Sequence, residues 1–375
     1  MPAIRTDQLV RRSARGSALS SQRPTLADVA AAAGVSVSTA SLAFSGAGPI
    51  AAATRERVHE AATALGYSGP NPLGRQLRSG RSGIVGVFVG DALKRSFRDP
   101  VSVQILDGLT STIGPLGLGV LLIPGSAEHE GPDGPVLDPL VESAAMDVAV
   151  MIWGANADDP ALVAFRRRGI PTVVVEGHEL EGIATTVGIE DRAGVAELGR
   201  HLLALGHRRI ATVTLAFGPS RRSGLADDER LGQIEWQIAQ RRMAGLHDAG
   251  ITLSAVYETP ASLVEHGADA ARVLLSLPDR PTAIVAQSDL LAAGVVLGAR
   301  ELGLRVPEDV SVAGFDGLDL SWLGADRLTT VVQPLAEKGV EVGHMVEALL
   351  AGEQPAPLVL PVHLRTGTTT GPVPA

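Results

Sequence analysis

From residue 83 onward the sequence alternates short, uninterrupted apolar runs with longer amphipathic stretches, and this alternation restricts the chain to one fold class. The runs are GIVGVFV (83–89), LGVLLI (118–123), DVAVMI (147–152), IPTVVV (170–175), TTVGI (185–189), RIATVT (209–214), TAIVA (282–286) and DVSVAG (309–314). A strand with one wet face alternates apolar and polar residues. A strand covered on both faces does not, so β-branched runs separated by helix-length segments predict parallel strands in doubly wound α/β sheets. Roughly 290 residues of this pattern exceed what one core organises, and two α/β lobes are predicted. In such sheets a ligand sits beyond the carboxyl ends of the strands, and between two lobes that crevice becomes a cleft.

The first 81 residues obey other rules. They carry ten Arg and no Lys against four acids, a surplus of +6, while the rest of the chain holds 22 basic and 37 acidic residues, or −15. A basic head on an acidic body suits a molecule that meets a polyanion with one end. With no cysteine in 375 residues, disulfide and thiolate chemistry are excluded. No apolar run reaches membrane-spanning length, and the N-terminal stretch lacks the apolar core of a secretory signal, so a cytoplasmic, nucleoid-associated protein with no membrane partner is expected.

Within the head, ADVAAAAGVSVSTASLAFSG (27–46) reads as two short helices around a glycine turn. Thr25 and Asp28 form a T-x-x-D capping box, Gly34 ends the first helix, and Ser36 is placed to cap the second. A third helix, about 53–65, carries Val58, Ala61, Ala62 and Leu65 at helical spacing and stops at Gly66. On the second helix Ala40, Ala43 and Phe44 share an inward face, leaving Val37, Ser38, Ser41, Leu42 and Ser45 outward. Two helices joined in this way form a helix-turn-helix, whose second helix enters the major groove, where a serine can bond base edges and Val or Leu can touch a thymine methyl. An ordinary three-helix mini-domain with a few exposed apolar side chains fits the same spacing. The expected boundaries are a disordered extension over 1–23, the helical domain over 24–68, a hinge over 69–82, a first lobe of 83–177 plus 317–345, and a second of 178–316 plus 346–368.

The stretches TLADVAAAAGVSVSTASLAFSG, ATRERVHEAATALGY and PNPLGRQLRSGRSGIVGV resemble the amino-terminal module of the lactose/purine-repressor (LacI/GalR) family. The likeness continues through LGHRRIATV, RRMAGLHDAGI, GLRVPEDVSVAGFD and LTTVVQP, and so covers nearly everything after residue 23. The resemblance implies a dimeric transcriptional regulator, with a three-helix DNA-binding domain and hinge followed by a bilobal core like that of periplasmic sugar-binding proteins. It also implies palindromic double-stranded operator DNA as partner. The DNA-facing set it implies is Thr25, Val37, Ser38, Thr39, Ser41, Leu42 and Arg55, with Arg57 a further phosphate contact. In the hinge it implies Asn71, Leu77 as a wedge in a central base step, and Arg78 beside it in the minor groove. So short a hinge helix, weakened by Gly74, is expected to fold only where contacts support it.

The sequence departs from the family pattern where Leu42 replaces a usual Arg and Ala51 a usual Ser. The first trades a charged base contact for an apolar one, and the second removes a helix cap worth about 1 kcal/mol. For the cleft the resemblance implies Arg242, Ser288, Asp289 and Asp316, with Phe97 and Arg98 on the other lobe. Asp and Arg can bond adjacent hydroxyls of a sugar-like ligand. Each has a structural alternative: Arg242 on a polar helix face, Asp289 as a cap, Asp316 in a turn with Gly314 and Gly317. Trp322 is equally a sugar-stacking platform or core. His201 and His207 read as surface residues. No metal ligands or cofactor motifs stand at ligand spacing, so no metal, cofactor or catalytic residue is expected. The alternatives are a sugar-active α/β enzyme with an accessory basic domain and a transporter's solute-binding protein. The C-terminal tail shows no heptads, which favours a homodimer over a tetramer.

Overall fold

The computed structural model describes residues 24–46, 48–69, 80–90, 93–125, 130–131, 134–135, 137–176 and 180–374. The chain divides into two compact units, one ending at Arg81 and the other beginning at Ser82.

The first unit contains α1 (Leu26–Ala33), α2 (Val37–Ser45) and α3 (Ala52–Leu65). Their shared core is small: Val29, Ala30, Ala40, Ala43, Val58 and Ala62 are buried, with Phe44 and Tyr67 packed around them. Alanine at the contacts lets the helices approach closely. Glycine ends each helix in the left-handed region, at Gly34, Gly46 and Gly66 with φ of 65°, 67° and 67°, where a Cβ would be strained. Leu65, expected inside, is exposed.

The second unit holds two large sheets and one of two short strands, Glu130–Gly131 with Gly134–Pro135. Strands β1 (Ile84–Val89), β2 (Gly119–Pro124), β3 (Val148–Ile152), β4 (Thr172–Val175) and β5 (Thr185–Ile189) lie in the first. Strands β6 (Ile210–Thr214), β7 (Gly224–Leu225), β8 (Leu253–Glu258), β9 (Ala283–Ala286), β10 (Ser311–Asp316) and β11 (Thr329–Val332) lie in the second. Near the C-terminus β12 (Leu358–Leu360) returns to the first sheet and β13 (His363–Arg365) to the second. The orders are β12-β5-β4-β3-β1-β2 and β13-β11-β10-β9-β6-β8-β7. Pairing is parallel except at the two edges of the second sheet, where β7 and β13 run antiparallel to their neighbours. All eight apolar runs became strands, and β3 is buried at every residue, as a strand covered on both faces must be.

Three sequence expectations are corrected. Residues 185–189 belong to the first lobe, paired with β4 in the register Val173↔Thr185, and 329–332 to the second, paired with β10. The helix at 335–350 packs on the first lobe and 358–360 pairs with β5, so 346–360, expected in the second lobe, also belongs to the first. A local apolar run announces a strand but carries no mark of which sheet will accept it. The chain thus crosses between lobes near Glu190, near Gln333 and near Pro361. His207 is fully buried, with its ring nitrogens 3.0 Å from the Thr282 and Ser311 hydroxyls and the Gly371 carbonyl. It pins the C-terminal tail to the second sheet, and burial pushes its pKa down. His201 is partly buried, 3.0 Å from the Thr370 hydroxyl.

The helices covering the sheets meet through glycine. On the first lobe α4 (Pro100–Ile113) packs on α10 (Leu335–Leu350), with Gly108 facing Gly339. On the second, α8 (Val264–Leu274) packs on α9 (Asp289–Glu301) through Gly267, Gly294 and Gly298. A Cβ at Gly294 would collide with the Val264 carbonyl and lie 2.8 Å from the Ala268 nitrogen. Backbone cannot step aside as a side chain can, so Gly294→Ala should cost about 1–3 kcal/mol. Urea denaturation of the two proteins measures this, and equal midpoints would contradict the contact.

Candidate functional site

In the head, Thr25 closes the capping box: its backbone N–H and hydroxyl donate to the Asp28 carboxylate at 2.8 and 2.7 Å. These bonds hold Asp28 below the usual carboxylate range. The Ser36 hydroxyl accepts from the Thr39 N–H at 3.1 Å and lies 2.8 Å from the hydroxyls of Ser38 and Thr39. This anchors the start of α2 while Ala40 and Ala43 bury its other side. Ser38 is exposed, Thr39 and Ser41 partly so, and Val37 and Leu42 stand out at 50% and 38% exposure. A ridge of hydroxyls and apolar tips with no charge is therefore open on α2, suited to base edges and thymine methyls. Ala51 precedes α3 without any side-chain cap. Arg55 and Arg57 are exposed on α3. Asn71, Leu77 and Arg78 lie outside the described residues.

In the second unit a cavity of about 880 Å³ opens between the lobes. Strand carboxyl ends build it. The first lobe offers Trp153 and Gly154 after β3, Glu176 after β4, and Ser96, Asp99 and Ser102 around the start of α4. The second offers Leu215, Ala216 and Pro219 to Arg221 after β6, Pro260 to Leu263 after β8, and Glu235 to Ile238, where α7 (Gln237–Asp248) begins. Among the described residues three non-glycine residues have positive φ, and two of them line it, Trp153 at 81° and Glu176 at 61°; the third, Asp316 at 127°, ends β10. Such conformations cost of order 1–3 kcal/mol each and gather at working sites. The Ser96 hydroxyl and the Gln237 side-chain oxygen are buried at this wall without a hydrogen bond, which is costly unless a ligand or water satisfies them.

One wall of the second lobe is a braced loop. Glu258 accepts from Arg230 at 2.6 and 2.7 Å and from the Phe217 N–H at 3.0 Å. Arg221 lies over the Trp236 ring at 5.1 Å and donates to the Pro260 carbonyl. The aromatic edge of the cavity is thereby fixed in place.

Of the residues expected at the cleft, the buried ones form a polar chain behind it. Lys338, fully buried on α10, donates to Glu176 and to Gln333. Gln333 donates to Asp316 at 2.7 Å, and Asp316 faces the Asp289 N–H at 3.4 Å. Asp289 accepts from the Thr330 hydroxyl at 2.6 Å and the Leu318 N–H at 2.7 Å; Ser288, not Asp289, caps α9. Arg242 is buried, not on a polar face. It donates to the Gln287 carbonyl, stacks 3.7 Å from the Phe315 ring, and lies 4.0 Å from Glu176. Phe97 and Trp322 are 59% and 55% exposed and do not line the cavity. Arg98 instead bridges the lobes on the surface, 2.7 Å from Glu265. Sequence reasoning missed Trp153 and Glu176, although each directly follows an apolar run, the position where parallel strands present side chains to ligand. Trp236 carried no such signal.

Burial pushes the Asp289 carboxyl up to about 6 and Asp316 well above the usual range, against the pull of Arg242 on the latter. A raised carboxyl binds a proton in the folded state that the unfolded chain has released, so its contribution to stability falls as pH rises from about 4 to about 6. Asp289→Asn does not titrate. Between pH 4 and pH 7 its stability relative to the parent should improve by about 2–3 kcal/mol, read by urea denaturation at the two pH values. A difference independent of pH would contradict the burial of an uncompensated charge there.

Comparison with known proteins covers both units. Residues 25–71 match the bacterial regulatory proteins of the lacI family, and 200–370 a periplasmic binding protein-like domain. An HTH-type transcriptional regulator of Mycobacterium tuberculosis is 34% identical over 94% of this chain and 98% of its own length. The HTH-type transcriptional repressor CytR of Escherichia coli K12 is 30% identical over 84% and 87%. Among solved structures, a LacI-family regulator from Corynebacterium glutamicum superposes with a TM-score of 0.69 at 28% identity, over 93% of this chain and 99% of its own. The lac repressor dimer bound to operator shares the fold with a TM-score of 0.73 at 24% identity, over 93% and 100%. The chain therefore belongs to the lacI family of bacterial transcriptional regulators, as a DNA-binding protein with a periplasmic-binding-protein-like ligand core.

Proposed function

We propose that the protein is a repressor that grips a palindromic operator as a homodimer, and that a sugar-like ligand in the interlobe cleft sets the strength of that grip. The cavity carries the reading. It combines two indoles, Trp153 and Trp236, with unsatisfied buried polar atoms on Ser96 and Gln237. A polyhydroxylated ligand matches both demands, since its C–H faces stack on aromatic rings and its hydroxyls can donate and accept. CytR supports repression by its name, and the complex of the regulator CelR with cellobiose, a solved structure 26% identical with a TM-score of 0.60, supports a sugar. Regulation from this cleft follows if ligand favours one lobe geometry and the operator another. The hinge residues Asn71, Leu77 and Arg78 would then read the minor groove, and the protein would act in the cytoplasm on the nucleoid.

In vitro selection of duplexes tests the DNA side. The parent should enrich a palindromic site whose affinity falls about 10³–10⁵-fold between 50 and 200 mM salt if 6–10 phosphates are engaged. Leu42→Arg should change the enriched half-site toward a guanine contact, because a guanidinium can bond O6 and N7 together. An unchanged half-site would show that residue 42 faces no base.

A further inference from the structure

The charges around the cleft are unbalanced. Among the described residues that line it stand five carboxylates, those of Asp99, Asp158, Asp159, Glu176 and Glu235, against two guanidiniums, Arg95 and Arg221. Glu176 is answered from behind by Lys338 and Arg242, and Asp159 by the N–H groups of Ala161 and Leu162 at the start of their helix. Arg221 is built into the wall through Trp236 and the Pro260 carbonyl. Asp99 has only the Val101 N–H and the Ser102 hydroxyl, and its carboxyl is pushed up to about 6, chiefly by burial and further by Glu176. Beside it the Ser96 hydroxyl, on a residue 6% exposed, has no hydrogen bond.

We propose that the cleft is charge-selective: it takes a polyhydroxylated ligand bearing an ammonium group, or no charge, and turns away the phosphorylated or carboxylated counterpart. The inference deepens the sugar reading above and rests on it. Two physical terms set the order. A carboxylate accepts hydrogen bonds and cannot donate them, so a wall of five carboxylates and two guanidiniums rewards ligand O–H and N–H donors and offers phosphate oxygens few partners. The same surplus of negative charge, in a site walled by low-dielectric protein, repels an anion and attracts a cation, and the Trp153 indole adds attraction for an ammonium, the Trp236 ring already carrying Arg221. Ser96 can serve an amine or a hydroxyl equally, so it supplies binding without choosing charge.

The test uses the full-length protein and matched sets in calorimetry: glucosamine, glucose and glucose-6-phosphate, with ribose and ribose-5-phosphate, together with fluorimetric screening of sugars, amino sugars and sugar phosphates. The expected order within a set is amine, then neutral parent, then phosphate, with at least a tenfold gap between parent and phosphate. Ser96→Ala should weaken all members of a set alike. Glu235→Lys, at an exposed rim position, should close the gap between parent and phosphate at least tenfold. A phosphate that binds as well as its parent, or a gap untouched by Glu235→Lys, overturns charge selection while leaving the sugar reading intact. Failure of every sugar to bind overturns both.

Discussion

The buried contact between Lys338 and Glu176 is the constraint around which the second unit is arranged. An ammonium and a carboxylate with 0% and 2% side-chain exposure are tolerable because each partners the other, with Gln333 and Arg242 adding support, and removing one would cost about 3–5 kcal/mol. Their positions make the pair more than a local repair. Glu176 ends a strand of the first lobe and lines the cavity, whereas Lys338 also holds Gln333, on a segment crossing between lobes. Gln333 continues to Asp316 and the Thr330-bonded Asp289 of the second lobe. A polar chain thus runs from the cavity wall through a crossing strand into the opposite sheet. Any rotation of one lobe against the other must strain or remake it.

This arrangement explains why the acids expected to hold a ligand stand behind the cavity instead. Asp289 and Asp316 spend their oxygens on Thr330, Leu318 and Gln333, so they organise the turn where strands leave the second sheet. The cavity is lined instead by residues directly after strands, by the start of α4 and by the braced loop around Trp236. Backbone strain at Trp153 and Glu176 agrees with that division, because strained residues persist only where the surrounding structure over-determines them.

Much of the architecture was legible in the chain because it is set by short-range chemistry. Thr25, Gly34 and Ser36 mark helix ends through bonds to residues within three or four positions, and the β-branched runs mark buried strands. Sheet membership was not legible. Thr185–Ile189 and Thr329–Val332 carry the same local pattern as their neighbours, and only pairing across distant sequence assigns them. Strand β8, LSAVYE, escaped notice because its first half is partly exposed, which broke the continuous apolar signature. His207 misled for a related reason: three partners distant in sequence, at Thr282, Ser311 and Gly371, create its buried site. Phe97, implied at the cleft by the resemblance, and Trp322, equally a platform or core by sequence, are both exposed and off the cavity lining, because proximity along the chain does not orient a ring. Trp153 needed the fold to reveal it.

Reciprocity between the two ligands addresses the central claim most directly. If cleft occupancy sets grip on DNA, the two binding equilibria share one coupling free energy, and each must shift the other's affinity by the same factor. Calorimetric titration of a cleft-binding sugar into the protein, alone and saturated with its selected operator duplex, measures one side; operator titration with and without that sugar measures the other. The account predicts equal factors well away from one, in the range of about 5- to 150-fold usual for such coupling. Identical sugar affinity with and without operator would contradict it.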